Sequence, residues 1–292
     1  MNKNLVLKTG YQNDKKYIKS FHKFISKIFP SISFTEWYQK GFWIDNYKPV
    51  SLFKDDEIIS SACLAFLDIT IDGKIYKAAQ IGAVGTLEEY RNKGLSRKLM
   101  EHILNEYESK IDIFYLFAND SVLDFYPKFG FVPKTENVFI RKINFEKTES
   151  SFRKLDFDNK LDYEILINLL NNRLQLTGKF APVNYQFITM WHIINLYKDN
   201  LFYSEKHNVI IVKREDEETL KIVDVIFNDL FDIEECLSEL CSETITTVKY
   251  FFPPDILNFR YDKIEKDDTG LFVKGNCKLD ESVFRYPLTA VT

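Results

Sequence analysis

Between Ala78 and Tyr107 the chain changes its hydrophobic period once, and that change limits the architectures open to it. Ile81 to Thr86 is a small, apolar run of the kind that forms a strand buried on both faces. From Leu95 onward, Leu95, Leu99, Ile103 and Tyr107 recur every four positions, with Arg97, Lys98, Glu101 and Glu106 between them. That spacing predicts an amphipathic helix. Between strand and helix stands Arg91-Asn92-Lys93-Gly94-Leu95-Ser96. A helix begins with backbone N–H groups that have no internal partner, Gly94 lets the main chain approach a ligand closely, and Arg91 and Lys93 add positive charge. The order strand, glycine-bearing turn, helix predicts a phosphate site at a helix N-terminus.

Two familiar phosphate loops are excluded: the chain has no G-x-x-x-x-G-K-[ST], and no G-x-G-x-x-G follows any predicted strand. A second segment supplies further detail. Ile111 to Ala118 (IDIFYLFA) is rich in aromatic and β-branched residues and predicts another buried strand. Asn119-Asp120-Ser121, a short helical stretch and Phe125-Tyr126-Pro127-Lys128-Phe129-Gly130-Phe131 follow it.

The loop at Arg91 resembles the R/Q-x-x-G-x-G/A loop of the GNAT superfamily of acyl-CoA N-acetyltransferases, with Ser96 where the family prefers Gly or Ala. The run from Asn119 through Phe125-Tyr126-x-Lys128-x-Gly130-Phe131 is similar to the second GNAT signature, at the expected distance downstream. The resemblance implies an α/β (α+β) GNAT fold with a central mixed sheet. It implies acetyl-CoA as acetyl donor, with no metal, held by Arg91, Asn92, Lys93, Gly94, Leu95, Ser96, Asn119 and Ser121. Backbone N–H groups of Val84, Gly85 and Thr86 are the candidates to polarise the thioester carbonyl, and Tyr126 is the candidate general acid toward the leaving thiolate.

The base is the open position. Many GNAT enzymes place a Glu on the central strand, and here that strand offers Gln80, which can orient a water without taking its proton. Glu88 and Glu89 lie past the strand end, where acids stabilise a helix dipole. Eis-like relatives are thought to use a C-terminal carboxylate, which makes Thr292 a candidate. Trp37, Phe42, Trp43 and Tyr47 stand where this family builds its acceptor pocket, and with Asp45 they would suit a cationic, partly apolar amine. His102 and His192 read as packed or solvated helix residues.

The rest of the first half predicts a strand at Leu5–Lys8, a helix through Tyr17, Phe21, Phe24, Ile25 and Ile28, and a helical piece from Phe34 to Lys40. Antiparallel strands flank Lys54-Asp55-Asp56 and turn again at Asp72-Gly73, and Phe139 to Ile143 is expected to close the sheet. The polar, aperiodic Glu146–Ser151 is read as a linker, which gives a catalytic unit over 1–146 and a second unit over 152–292. The second half predicts helices at Tyr163–Leu176, Tyr185–Tyr197 and Ile233–Leu240. Its strands are expected at Val209–Lys213, Thr219–Phe227, Thr246–Phe252, Asp262–Glu265 and Leu271–Val273. Acidic Phe227–Asp232 stands where a phosphate loop would be, so this half reads as a degenerate GNAT-like domain without cofactor binding. The arrangement resembles the tandem-GNAT subgroup that includes the Eis-like acetyltransferases, without their third domain.

A net charge of −4 and a pI near 5.7 argue against a general nucleic-acid binder. No apolar run of about 18 residues exists to span a membrane, and the N-terminus lacks a signal-like apolar region. The four cysteines form no C-x-x-C pair, so the expectation is a cytoplasmic chain with reduced thiols. The expected activity is acetyl transfer to a small-molecule or peptide primary amine, with a homo-oligomeric state left open. Two other readings stand beside it: a non-catalytic acyl-CoA sensor or scaffold, and a tandem-GNAT aminoacyl transferase using charged tRNA. The intact Tyr126 counts against the first, and the acidic pI and intact loop count against the second.

Overall fold

The computed structural model describes residues 5–144, 148–277, 279 and 282–292. Strand β1 (Val6–Thr9) leads into α1 (Lys15–Ile28), whose start is fixed by the Asp14 carboxylate accepting from the Lys16 N–H at 2.9 Å. Ile18, Phe21, Phe24 and Ile25 form its buried face. A short helix α2 (Thr35–Gln39) precedes β2 (Tyr47–Lys54) and the long β3 (Glu57–Ile71) and β4 (Lys74–Thr86). Both hairpin turns put their central residues in the left-handed region, at Asp55 and Asp56 (φ 49° and 64°) and at Asp72 and Gly73 (φ 46° and 78°). Turns of that hand match the twist of the strands they join.

Helix α3 (Leu95–Tyr107) crosses over to β5 (Ile113–Phe117), followed by β6 (Val132–Pro133) and β7 (Glu136–Lys142). The second half runs through β8 (Phe152–Lys154), α4 (Lys160–Asn171), β9 (Phe180–Val183), α5 (Gln186–His192), a π-helical turn at Ile193–Tyr197 and β10 (Leu201–Ser204). It finishes with β11 (Val209–Asp216), β12 (Thr219–Phe227), α6 (Ile233–Leu240), β13 (Thr247–Tyr250), β14 (Lys263–Asp267) and β15 (Leu271–Gly275).

These strands form two mixed sheets. The first is eight-stranded, in order β1-β2-β3-β4-β5-β15-β6, with β9 paired to the far end of β3. The second is seven-stranded, in order β14-β7-β13-β12-β11-β10-β8. Each has one parallel pair joined through a helix, β4-α3-β5 in the first and β12-α6-β13 in the second. The internal similarity expected from sequence is therefore present at the level of topology.

The strand expected to close the first sheet, Phe139 to Ile143, lies elsewhere. It is β7, and it pairs with β13 and β14 in the second sheet. The reverse holds for the strand expected to finish the second unit: β15 pairs with β5 and β6 in the first sheet. The physical reason is edge coverage. Beyond β5 the first sheet would end in a row of unpaired N–H and C=O groups on an apolar strand, and β15 pairs with them while Leu271, Phe272 and Val273 are buried. The linker read at Glu146–Ser151 falls partly outside the described residues. Helix α4 ends at Asn171, short of the Leu176 expected.

Candidate active site

Strands β4 and β5 run together only where Ala78 to Ile81 face Ile113 to Leu116. Beyond Ile81, β4 stays paired to β3 as far as Thr86, while β5 stops at Phe117. The two strands part there. A register shift between Ser61 and Cys63, with Ala83 at φ 47°, marks a bulge at the parting point. Gly82, Ala83, Val84, Gly85 and Thr86 thereby line a cavity of about 970 Å³, the upper end of the usual range for ligand pockets.

At one side of this cavity α3 begins. Asn92 and Gly94 both adopt left-handed backbone, at φ 60° and 72°, and Gly94 caps the helix with no side-chain hydrogen bond. The first N–H groups of α3 are thus left to an external acceptor. A Cβ placed on Gly94 would meet nothing within 4 Å, so the approach is open. The Arg91 Nε–H donates to the Thr86 carbonyl at 3.4 Å. The Thr86 hydroxyl lies 2.8 Å from that of Ser96 and 2.7 Å from that of Ser60. That chain of hydroxyls gives the serine at the sixth loop position a structural partner. Arg91, Ser96, Asn119 and Ser121 line the cavity with Val84, Gly85 and Thr86. Asn92, Lys93, Gly94 and Leu95 shape the turn without lining it, and the Lys93 ammonium donates instead to the Glu89 carbonyl at 2.6 Å.

Tyr126 also lines the cavity and is buried, packed against Phe125, Phe131 and Phe272. Burial pushes its phenol up to about 12, so it carries its proton throughout the physiological range.

The last residues of the chain enter the same cavity, which Val291 and Thr292 line. A Cβ placed on Gly82 would lie 2.6 Å from the Thr292 Oγ1 and 2.7 Å from its main-chain carbon and oxygen. Only a residue without a side chain admits the tail there, and Gly82 is not in the left-handed region, so space and not conformation demands the glycine. The second half holds the tail in place. His192 Nε2–H donates to the Val291 carbonyl at 2.6 Å, which fixes its tautomer, and burial lowers the imidazole pKa to about 4, so it stays neutral. The Thr289 hydroxyl donates to Asp224, whose carboxylate is gripped by both Nη atoms of buried Arg173 at 2.8 and 3.2 Å.

Asp224 sits just past the residues of β12 that pair with β13. The parting strands of the second sheet therefore face the tail. At the matching helix start, Asp232 accepts from the N–H groups of Glu234 and Glu235, and the first turn is acidic. An anion would meet satisfied donors and like charge there.

The acceptor residues expected from sequence divide. Trp37 lines the cavity, with Phe34 and Tyr47. Trp43 does not: it is buried among Phe21, Phe34, Trp37 and Tyr47, with its indole N–H donated to the Tyr47 carbonyl at 2.8 Å. Asp45 is exposed, accepts from Gln12 at 2.8 Å and is not part of the cavity wall. Gln80 is fully buried and is not part of the cavity wall, and its amide atoms have no hydrogen-bond partner among the described residues. Sequence reasoning missed Ile188, Trp191, His192 and Leu196, which the second half contributes to the wall. Nothing in their local pattern signals that α5 packs across the cleft of the first sheet.

Comparison with known proteins agrees with this geometry. Residues 18–133 match the family model described as the acetyltransferase (GNAT) domain. The chain carries a GNAT domain and is by class an N-acetyltransferase. Over 133 residues it is 27% identical to N-alpha-acetyltransferase 50 of Danio rerio, which covers 43% of this chain and 76% of that protein. A probable N-acyltransferase from Enterococcus faecalis V583 shares the fold with a TM-score of 0.63 at 14% identity, over 92% of this chain and 72% of its own. A GCN5-related N-acetyltransferase from Kribbella flavida does so with a TM-score of 0.57 at 13% identity, over 92% and 70%. No helix among the described residues is long and apolar enough to cross a membrane.

Proposed function

We propose that this chain moves the acetyl group of acetyl-CoA to a primary amine by direct attack in a ternary complex. The observation that carries the reading is one cavity lined at once by the parting edge of β4, the loop leading into α3, Tyr126 and Thr292. Residues Arg91 to Ser96, with Asn119 and Ser121, would hold the donor's phosphates at the helix start. Free N–H groups of Val84 to Thr86 would polarise the thioester carbonyl. The amine nitrogen bonds to the acyl carbon as the carbon–sulfur bond breaks. Tyr126 supplies a proton, or a strong hydrogen bond, to the departing sulfur.

Thr292 is the proposed base. A free α-carboxylate at Thr292 would take the proton that the amine loses, and the division of labour follows from that. Residues up to about 146 bind the donor, while the second half binds none and presents the tail through His192, Arg173 and Asp224. Buried Gln80, two residues before Gly82 and without a hydrogen-bond partner among the described residues, would hold a water near the reacting groups.

The decisive experiment is thiol release from acetyl-CoA against a panel of amines, polyamines, aminoglycosides and peptides with free amino termini, run beside calorimetry with CoA. The likeness to an N-alpha-acetyltransferase is the reason for including the peptides. Tight CoA binding without thiol release for any acceptor would favour the scaffold reading.

A further inference from the structure

From the side-chain chemistry of the cavity, and resting on the acetyltransferase reading above, we infer that the acceptor is a primary amine carrying one aryl or alkyl group and no second positive charge. Apart from the donor-binding segments and the tail, the wall is apolar. Ile32, Phe34 and Trp37 come from the region of α2, and Ile188, Trp191 and Leu196 from α5 and the π-helical turn. The two groups form one surface: Phe34 contacts Trp37 at 5.8 Å and Trp191 at 5.6 Å between ring centroids, and the Trp37 indole N–H donates to the Phe187 carbonyl at 2.6 Å.

Charge selects among amines more sharply than shape does. Asp124 is the single acidic side chain among the lining residues, and it stands in the segment just before Tyr126, with the basic Arg91 and Lys128 also on the wall. His192 is neutral. Of the carboxylates near the aromatic residues in sequence, Glu36 pairs with Lys198 and Asp45 accepts from Gln12, and neither lines the cavity. One ammonium can pair with the tail before it loses its proton. On the aromatic side of the cavity, away from the Tyr126 segment that carries Asp124, each further ammonium of a polyamine or aminoglycoside would leave water with no lining carboxylate to meet it, and an unpaired charge in an apolar site is disfavoured strongly. An aryl or alkyl substituent, by contrast, covers wall that is otherwise wet.

The test is kcat/KM by thiol release with acetyl-CoA for 2-phenylethylamine and hexylamine against spermidine and kanamycin. At least about 10-fold preference for the first pair is expected. The variant Leu196→Glu adds a carboxylate to the wall at a position 42% exposed, where folding tolerates charge, and should move the preference toward spermidine by about 10-fold. Spermidine or kanamycin preferred by the unaltered enzyme would overturn the inference while leaving the transferase reading intact. So would turnover that climbs with the donor's acyl length, from acetyl-CoA to octanoyl-CoA, but ignores the amine's substituent, because the wall would then serve the acyl chain. Thiol release with none of these or any other amine, despite CoA binding by calorimetry, would overturn the transferase reading itself and this inference with it.

Discussion

Gly82→Ala is the smallest change that separates the tail from the cleft. The added methyl would stand 2.6–2.7 Å from three atoms of Thr292. Ordinary contact between such atoms is about 3.5–4.0 Å, so the tail must withdraw by roughly 1 Å. The strand itself has no reason to move, because alanine accepts the backbone conformation of Gly82. A displacement of about 1 Å in a reacting group can cost roughly 10²-fold in rate, and complete loss of a general base costs about 10²–10⁴-fold. The expected result is therefore a fall in kcat of about one hundred-fold or more, roughly 3 kcal/mol of barrier. Overpacking of this kind also costs about 1–3 kcal/mol of stability, measurable by denaturant unfolding. In a chain shortened by Thr292 the same substitution should cost almost no stability, since the clash has no partner left. Full kcat and unchanged stability in a folded Gly82→Ala protein would refute the argument. A raised KM for acetyl-CoA with kcat intact would refute it too, showing that the methyl obstructs the donor and not the tail.

Gly94→Glu should abolish CoA binding by calorimetry, because it puts a carboxylate at an anion site. The fold should survive with a loss of about 1–2 kcal/mol for a side chain in left-handed backbone. Tyr126→Phe should lower kcat by about 10²-fold or more with KM for acetyl-CoA and thermal stability nearly unchanged; a joint drop in affinity and stability would make the residue structural. His192 has a folded pKa near 4 against 6.5 unfolded, so its contribution is fully present above pH 6.5 and is lost as pH falls toward 4. The stability difference between the parent and His192→Asn should thus be flat above pH 6.5 and shrink by up to about 1.4 kcal/mol per unit below it; a difference independent of pH across that window would show that the imidazole is not held neutral. One CoA per chain is expected by calorimetry, and two would mean that the helix start at Asp232 binds anions after all.

The parts of the site written in consecutive residues were legible in the sequence. The strand ending at Thr86, the turn with Gly94 and the helix from Leu95 all follow from a change of period and one glycine, and they stand where expected. The parts that depend on distant pairing were not. Alternation predicts β7 and β15 as strands but says nothing about which sheet takes them, and each joins the sheet of the other half. Trp43 and Asp45 flank Ile44 in a loop of aromatics, and no local pattern tells that one ring turns to the core while the carboxylate turns to Gln12. Gln80 lies on the strand as read, yet it is fully buried and takes no part in the cavity wall. His192 looked like an ordinary helix residue because its partner, the Val291 carbonyl, is 99 positions away.

The exchange of β7 and β15 sets a timetable for the nascent chain. While the ribosome is still making the second half, β5 has no neighbour on its outer edge, since β15 supplies one only at Leu271–Gly275. The donor loop can form early from local sequence, but the contact with Gly82 must wait until Thr292, 210 positions later, has been synthesised. During that interval an apolar strand edge is open to any other extended segment, the condition under which chains aggregate or recruit chaperones. Severing the chain between β7 and β8 would recreate that condition permanently in both fragments, so the two pieces should be soluble only when made together.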